Sequence, residues 1–108
     1  MMRIIKLMAD YGCHPLWDIG PTGPRDIDPQ NLPLSESLIK KLEIWSRQYD
    51  ETLNEDYPPD SGFPTTSEHG SFVMQGKYLA QEISKELGSE YKVFYYDDLI
   101  DKTIAIEN

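Results

Sequence analysis

The chain has 108 residues, which suits one domain with its own core, and 39% hydrophobic and 11% aromatic content excludes a disordered polymer. Ten Lys and Arg residues against 19 Asp and Glu residues give a net charge of −9 at pH 7. A negative surface disfavours nucleic-acid and anionic-membrane partners, and it favours either a basic protein partner or solubility alone.

The N-terminal third predicts one or two strands and a long loop. Residues 3–9 contain two isoleucines and no breaker, which is typical of a strand buried on at least one face. Gly12 then predicts a turn, and residues 15–19 predict a short strand that starts at Pro15 or lies at a sheet edge. Residues 20–34 hold four prolines and two glycines, so they predict a loop without helix or central strand.

A first amphipathic helix is predicted from about residue 36 to 54. Ser35 is a good N-cap, and Glu36 suits the positive end of the helix. The apolar positions then recur at helical spacing. They are Leu38, Leu42, Trp45, Tyr49 and Leu53.

A second helix is predicted over about 67–87, where apolar residues again have helical spacing. Thr65 and Glu68 have the spacing of a capping box. Gly76 lies on the apolar face, where it would let another element approach closely. Gly88 stands where a helix-ending glycine is expected.

The C-terminal segment predicts a strand over residues 91–96, rich in aromatic and branched residues, and a last strand over 103–106. The predicted fold is therefore α+β, with a small sheet of three or four strands and two main helices packed on one face. No repeat or domain boundary interrupts the chain, so residues 1–108 are expected to form a single domain.

The sequence offers no signal for secretion, metal binding or cofactor binding. Cys13 is the only cysteine, which excludes an intrachain disulfide. Lys6 and Asp10 break the first apolar run, so it is too short for a signal peptide or a membrane span, and a cytoplasmic protein is expected. The spacing of zinc ligands or of a phosphate-binding loop is absent, so neither a metal nor a cofactor is predicted.

Two pairings invite a catalytic interpretation, namely Cys13 with His14 and His69 with Ser71. Adjacent side chains in a strand point to opposite faces, and a histidine and a serine are common at a helix start, so catalysis is disfavoured. A small hydrolase would need a pocket that holds His14 or His69 against a carboxylate. A general acidic adaptor or nucleic-acid mimic is the other alternative, and it would bind many basic proteins in a salt-sensitive way.

Acidic and aromatic side chains alternate in NEDYPPD and YYDDLID. Tyrosine gives contact area at a low entropic cost, and carboxylates pair with arginine, so this combination suits a basic protein surface. The alternative without a binding role is a solvated turn whose tyrosines cover the edge of the core. This alternative is favoured for residues 57–63.

Several strings resemble those of small immunity proteins encoded beside contact-dependent growth inhibition and related bacterial polymorphic toxin systems. They are LMADYGCHPLW, LPLS, LxxWxxxYDETLNxDYPPDSGF and LAQEISKELGSEYKVFYYD. The resemblance covers roughly residues 7–63 and 79–97. It implies a small, cytosolic, non-enzymatic inhibitor, a monomer until it binds the C-terminal toxin domain of a large exported protein, often a nuclease. A basic nuclease would attract a chain of net charge −9, which could then cover its active site.

Contact surfaces must differ between toxin pairs, so the string shared by such a family is expected to be scaffold. Tyr49, Leu53 and Phe63 are expected to pack inward, while Asp50 or Asp60 binds backbone N–H groups. The same scaffold is expected to include Asp10, Tyr11 and Trp17.

Toxin contact is expected outside that string, on the acidic and aromatic C-terminal segment and the Pro-rich loop. The predicted contact residues are Tyr95, Tyr96, Asp97, Asp98 and Asp101, with Asp26 and Asp28 adding charge at the rim. Either Tyr95 or Tyr96 should anchor the contact, since strand neighbours face opposite sides. The second candidate surface consists of Glu51, Glu55, Asp56 and Asp60.

Overall fold

The computed structural model describes residues 2–21 and 23–107, which contain five strands and two α-helices. The strands are β1 (Arg3–Leu7), β2 (Leu16–Asp18), β3 (Arg25–Ile27), β4 (Tyr91–Asp97) and β5 (Lys102–Ala105). The helices are α1 (Glu36–Asp50) and α2 (Thr66–Leu87), and short 3-10 turns cover Pro29–Asn31 and Pro58–Asp60. Neither helix is long and apolar enough to cross a membrane, within the part of the chain just described.

All five strands form one mixed sheet in the order β3-β2-β1-β4-β5. The central strands β1 and β4 are parallel, with Ile5 opposite Val93 and Leu7 opposite Tyr95. The other neighbours are antiparallel. The α+β prediction is confirmed, but the sheet has five strands rather than three or four.

The extra strand is β3, which lies in the Pro-rich segment where no strand was predicted. Pro24 and Pro29 flank β3 instead of interrupting it, so its residues keep their N–H groups for pairing. Asp26 pairs with Trp17, and β3 becomes an edge strand. Pro15 immediately precedes β2, which is consistent with a strand that starts there.

The first helix starts as predicted but ends at Asp50, four residues early. The Ser35 hydroxyl accepts the Leu38 N–H at 3.2 Å, which satisfies one of the free donors of the first turn. At the other end, the Thr52 hydroxyl donates to the Tyr49 carbonyl at 2.7 Å, and the chain turns. Leu53 therefore lies beyond the helix and is 37% exposed, so the prediction that it packs inward is wrong.

The second helix has the predicted caps. The Thr65 hydroxyl accepts the Glu68 N–H at 3.1 Å, and Gly88 ends the helix with φ 78°, a left-handed conformation that favours glycine. Gly76 permits the predicted close approach, since a Cβ there would lie 2.6 Å from atoms of the Tyr95 ring.

Both helices lie on one face of the sheet, as predicted. The Tyr95 side chain touches Gly76 of α2 and lies 6.3 Å, centroid to centroid, from Trp45 of α1. Trp45 stacks on Phe72 at 4.4 Å and donates its indole N–H to the Phe72 carbonyl at 3.0 Å. This core leaves the other face of the sheet uncovered by helix, and the half-buried Trp17, Phe94 and Tyr96 lie on it.

Candidate functional site

Parallel pairing of β1 and β4 brings their carboxyl ends to the same edge of the sheet. The segment after β1 and the turn after β4 therefore lie side by side. The pairing of Leu7 with Leu16, and of Leu16 with Ile27, brings the start of β2 and the end of β3 to that edge as well. Carboxylates from four separate segments meet there, and we refer to them as the acidic end. They are Asp10, Asp26, Asp28, Asp50, Asp98 and Asp101.

Contacts with Tyr11 tie the end of α1 to this edge. The Tyr11 ring stacks on Tyr49 at 4.6 Å, and its hydroxyl lies 2.8 Å from the Thr52 hydroxyl. The Gly12 N–H donates to the Asp50 carboxylate at 3.3 Å. These contacts support the predicted scaffold role of Tyr11, Tyr49 and Asp50, because each joins segments far apart in the sequence.

Two groups near this edge, Cys13 and Tyr49, lie within electrostatic reach of several of these carboxylates. Burial raises the pKa of the Cys13 thiol, and Asp10, Asp26 and Asp50 raise it further. Burial also raises the pKa of Tyr49 to about 12, with contributions from Tyr11, Asp98 and Asp10. Among residues 2–21 and 23–107, no Lys or Arg lies within 4.0 Å of a carboxylate of the acidic end.

Histidines are the partners of three of these carboxylates. His14 lies between Asp26, 3.3 Å from Nδ1, and Asp28, 3.9 Å from Nε2. The His14 backbone N–H also donates to Asp26 at 3.1 Å. His69, in the first turn of α2, lies 2.9 Å from Asp98. These contacts fix the positions of the carboxylates.

Burial removes two residues from the predicted contact surface. Asp97 is only 3% exposed; its carboxylate accepts the Leu99 N–H at 3.0 Å and lies 3.8 Å from the Lys77 ammonium. Tyr95 is 1% exposed and faces the helices. Both side chains belong to the core side of β4, because alternate strand residues share a face.

The remaining predicted residues of this segment do reach the surface. Tyr96 faces the uncovered side of the sheet, as expected for the neighbour of an inward Tyr95, and its hydroxyl donates to Asp101 at 2.5 Å. Asp101 is exposed and has a positive φ of 52°. Between Asp98 and Asp101, the exposed Leu99 and Ile100 form an apolar tip that was not among the predicted contact residues.

The pairing of His69 with Asp98 tests the hydrolase alternative, which required a histidine against a carboxylate in a pocket. Ser71 is two residues further along α2, about 200° around the helix, so its hydroxyl points away from His69. The His69 ring is instead stacked on Phe63 at 4.9 Å. Cys13 has a raised pKa, the opposite of the lowered pKa that activates a nucleophilic thiol. Within residues 2–21 and 23–107, neither histidine therefore has an activated nucleophile beside it.

The second candidate surface lies on the turn that follows α1. Its acids Glu51, Glu55, Asp56 and Asp60 are all exposed. The Asn54 side chain orders the turn by accepting the N–H groups of Asp56 and Tyr57, at 3.1 and 3.0 Å. Of the two acids predicted to bind backbone N–H groups, Asp50 does so through Gly12, whereas in this turn the role belongs to Asn54 and not to Asp60. An Asx-type turn at Asn54 was the available sequence signal.

A groove of about 970 Å³ runs between the two helices and this turn. Ile44, Leu53 and Phe63 contribute apolar surface to it, while Glu51 and Glu68 contribute acid groups. Neither His14 nor His69 lines this groove.

The fold, the acidic end and the scaffold string together indicate a small protein-binding inhibitor of the immunity-protein class. Residues 3–98, 96 of the 108, match the model of the Serratia CdiI immunity protein-like family. The chain belongs to this family, and it is thus an immunity protein of a contact-dependent growth inhibition system. No curated protein matches the chain.

Proposed function

We propose that this chain neutralises its cognate toxin domain in the cytoplasm by non-enzymatic binding, with the acidic end placed against a basic toxin surface. The supporting observation is the gathering of six carboxylates from four segments, none with a Lys or Arg within 4.0 Å in the described part of the chain. The toxin we propose is a nuclease, because a nuclease active site must attract phosphates and is therefore basic.

The physical basis is the relief of repulsion between like charges. Carboxylates clustered on one surface disfavour the free protein and favour any state in which cations approach them. Arginine side chains of the toxin could pair with Asp98, Asp101 and Asp26 through two parallel hydrogen bonds each. Electrostatic attraction of this kind raises the association rate more than it lowers the dissociation rate.

The proposed contact surface combines this charge with nearby apolar and aromatic groups. Tyr96 has an aromatic ring on the uncovered face, and Leu99 and Ile100 are the exposed tip between two acids. Apolar side chains at the centre of a contact and charged groups around it are the usual arrangement of protein interfaces. Asp28 extends the acidic rim beside His14.

The proposal predicts direct coverage of the toxin active site. An immunity protein that occupies the phosphate-binding surface should compete with the nucleic-acid substrate of the toxin. A minimal test measures cleavage of a labelled RNA or DNA substrate by the toxin at rising substrate concentration, with the immunity protein held constant.

A matched pair of variants tests the role of the acidic end. The first carries Asp26→Asn, Asp98→Asn and Asp101→Asn; the control carries Glu36→Gln, Glu43→Gln and Glu90→Gln, which are exposed positions outside the acidic end. Both variants change the net charge from −9 to −6. Association with the toxin domain encoded beside this chain is measured by stopped flow at several salt concentrations.

We expect the first variant to associate about tenfold more slowly at low salt and to lose much of its salt dependence, while the control changes little. Equal effects of both variants would mean that net charge alone matters, as for a general acidic adaptor. An unchanged rate in the first variant would move the interface elsewhere, and the acidic turn from Glu51 to Asp60 would be tested next.

A further inference from the structure

The two edges of the sheet differ in how they are protected against pairing with another chain. Edge strand β3 has three residues, lies between Pro24 and Pro29, and has its Asp26 carboxylate held by His14. Short length, proline and charge are the features that natural proteins use to block strand addition. β5, at the opposite edge, has no proline.

The hydrogen-bond register shows which backbone groups of β5 face outward. The Ile106 N–H donates to the Val93 carbonyl at 2.9 Å, so residue 106 points its backbone toward β4. In an antiparallel pair these inward residues alternate with outward ones, so Thr103 and Ala105 direct their N–H and carbonyl groups away from the sheet. Both side chains are small, which leaves this edge accessible.

A cavity of about 360 Å³ lies beside this edge, between β5 and α2. Ile104 and Ile106 form its wall, Lys77 and Gln81 form the opposite side, and Tyr95 contributes to the lining. The Tyr95 hydroxyl is buried and has no hydrogen-bond partner among residues 2–21 and 23–107. A strand added to β5 would direct alternate side chains over this cavity.

The charges around β5 favour a basic strand over a second copy of this chain as the segment that pairs with it. Asp101 precedes β5 and Glu107 follows it, with Lys102 as the cation of the strand. A second copy paired antiparallel would place Asp101 of one chain near Glu107 of the other, and each copy has a net charge of −9. A strand from a basic toxin brings cations instead, and β5 begins directly at the acidic end proposed as the toxin contact.

We infer that an extended segment of the toxin pairs with β5, adds a sixth strand to the sheet, and directs a side chain into the cavity under Ile104 and Ile106. This inference rests on the proposed function, which requires a toxin complex but does not require strand addition.

Amide hydrogen exchange on the unmodified chain gives the first test, with the inactivated toxin domain encoded beside it as the partner. We expect the Thr103 and Ala105 amides to exchange quickly in the free protein and at least tenfold more slowly in the complex. The amides of Asp18 and Ile19, at the end of the sheet opposite the acidic end, should exchange at the same rate in both. Unchanged exchange at Thr103 and Ala105 in a formed complex overturns the inference and leaves the proposed function standing.

A matched pair of substitutions gives the second test. Ala105→Pro removes an outward N–H without removing a bond to β4, and prolines are tolerated at such edge positions. Ala105→Ser changes the side chain but keeps the N–H. We expect Ala105→Pro to raise the Kd for the toxin by about tenfold, because one main-chain hydrogen bond and the close packing next to it are lost. Ala105→Ser should bind like the unmodified chain.

Equal binding by both variants would overturn strand addition at β5. Should Ala105→Pro fail to fold, Thr103→Pro tests the next outward N–H, and the exchange experiment decides on its own. Protection of β5 in the free protein with a dimeric mass would identify a second copy as the occupant and overturn the inference. Absence of any complex with the unmodified chain would overturn the proposed function and this inference together.

Discussion

The carboxylates at the two ends of the central strand pair, β1 and β4, differ in the groups that they contact. Where β1 and β4 begin, Asp18 lies 3.5 Å from the Arg3 guanidinium, and Glu86 accepts the N–H and hydroxyl of Ser35 at 2.6 and 2.9 Å. Where these strands end, the acidic end has histidine, tyrosine and backbone partners but no Lys or Arg within 4.0 Å in the described residues. Carboxylates at the first end therefore pair with a cation or with the N-cap of α1, whereas those at the second end are the ones that we propose to meet the toxin.

Substitution of Trp45 should have the largest effect, because this residue of α1 packs against both α2 and the sheet. Its ring is 2% exposed, stacks on Phe72 and approaches Tyr95 of β4. We expect Trp45→Ala to lower the free energy of unfolding by about 3–5 kcal/mol in urea titration. Ile44→Ala, at a neighbouring position that is 53% exposed, is the control and should change it by less than about 0.5 kcal/mol. A Trp45→Ala midpoint near that of the unmodified chain would contradict the assigned core.

At the first end, neutralising a carboxylate should destabilise the fold. Glu86→Gln weakens two charge-assisted bonds to Ser35, the N-cap of α1, so we expect a loss of about 1 kcal/mol in unfolding free energy. Thermal unfolding of Glu86→Gln beside Glu43→Gln, an exposed helix position, measures this. Equal melting temperatures of the two variants would show that the contact adds nothing.

At the acidic end, neutralising carboxylates should leave stability unchanged or slightly higher. In the Asp26→Asn, Asp98→Asn and Asp101→Asn variant, each asparagine keeps an acceptor oxygen and removes one of the repelling charges. We expect the free energy of unfolding to stay within about 0.5 kcal/mol of that of the unmodified chain, or to rise slightly. A loss above about 1 kcal/mol would mean that these acids stabilise the fold, and the contrast between the two ends would disappear.

High pH should weaken the junction between α1 and the acidic end. The pKa of Tyr49 is raised from its ordinary 10 to about 12 in the folded chain, mainly by burial. As pH rises, the unfolded chain therefore loses the Tyr49 proton before the folded chain does. The contribution of protonated Tyr49 to the free energy of unfolding is complete below about pH 10 and is lost toward pH 12. Urea midpoints at pH 9 and 11 should differ less for Tyr49→Phe than for the unmodified chain or for Tyr57→Phe, whose ring is 62% exposed. The same decline in all three would exclude Tyr49 as its source.

Local sequence signals predicted the elements and their caps well. Ser35, Thr65 and Gly88 act within one turn of their own position, so a short window of sequence contains the necessary information. The alternation in β4 likewise predicted that Tyr95 and Tyr96 face opposite sides, which is confirmed. The prediction of a loop at β3 was wrong because it relied on the number of prolines in residues 20–34. Three consecutive residues there, Arg25–Ile27, contain no proline and can pair with β2.

The exposed residues of the candidate surface could be predicted from the sequence only in part. Asp97, Asp98 and Asp101 look equivalent as a string, but Asp97 is buried against Lys77 of α2 while Asp98 and Asp101 reach the surface. Lys77 is 20 residues away in the sequence, so only the packing of α2 on β4 separates these three acids.

The sequence by itself therefore determined the α+β class, the two amphipathic helices, the net charge and the string that marks the family, because each depends on composition or short-range periodicity. Only the tertiary structure decided that Asp10, Asp26, Asp50 and Asp98 share one end of the molecule, and that β5 is the less protected edge. The parallel register of β1 with β4 fixes the first, and the strand order fixes the second. Both depend on pairing between segments far apart in the chain, which no local pattern encodes.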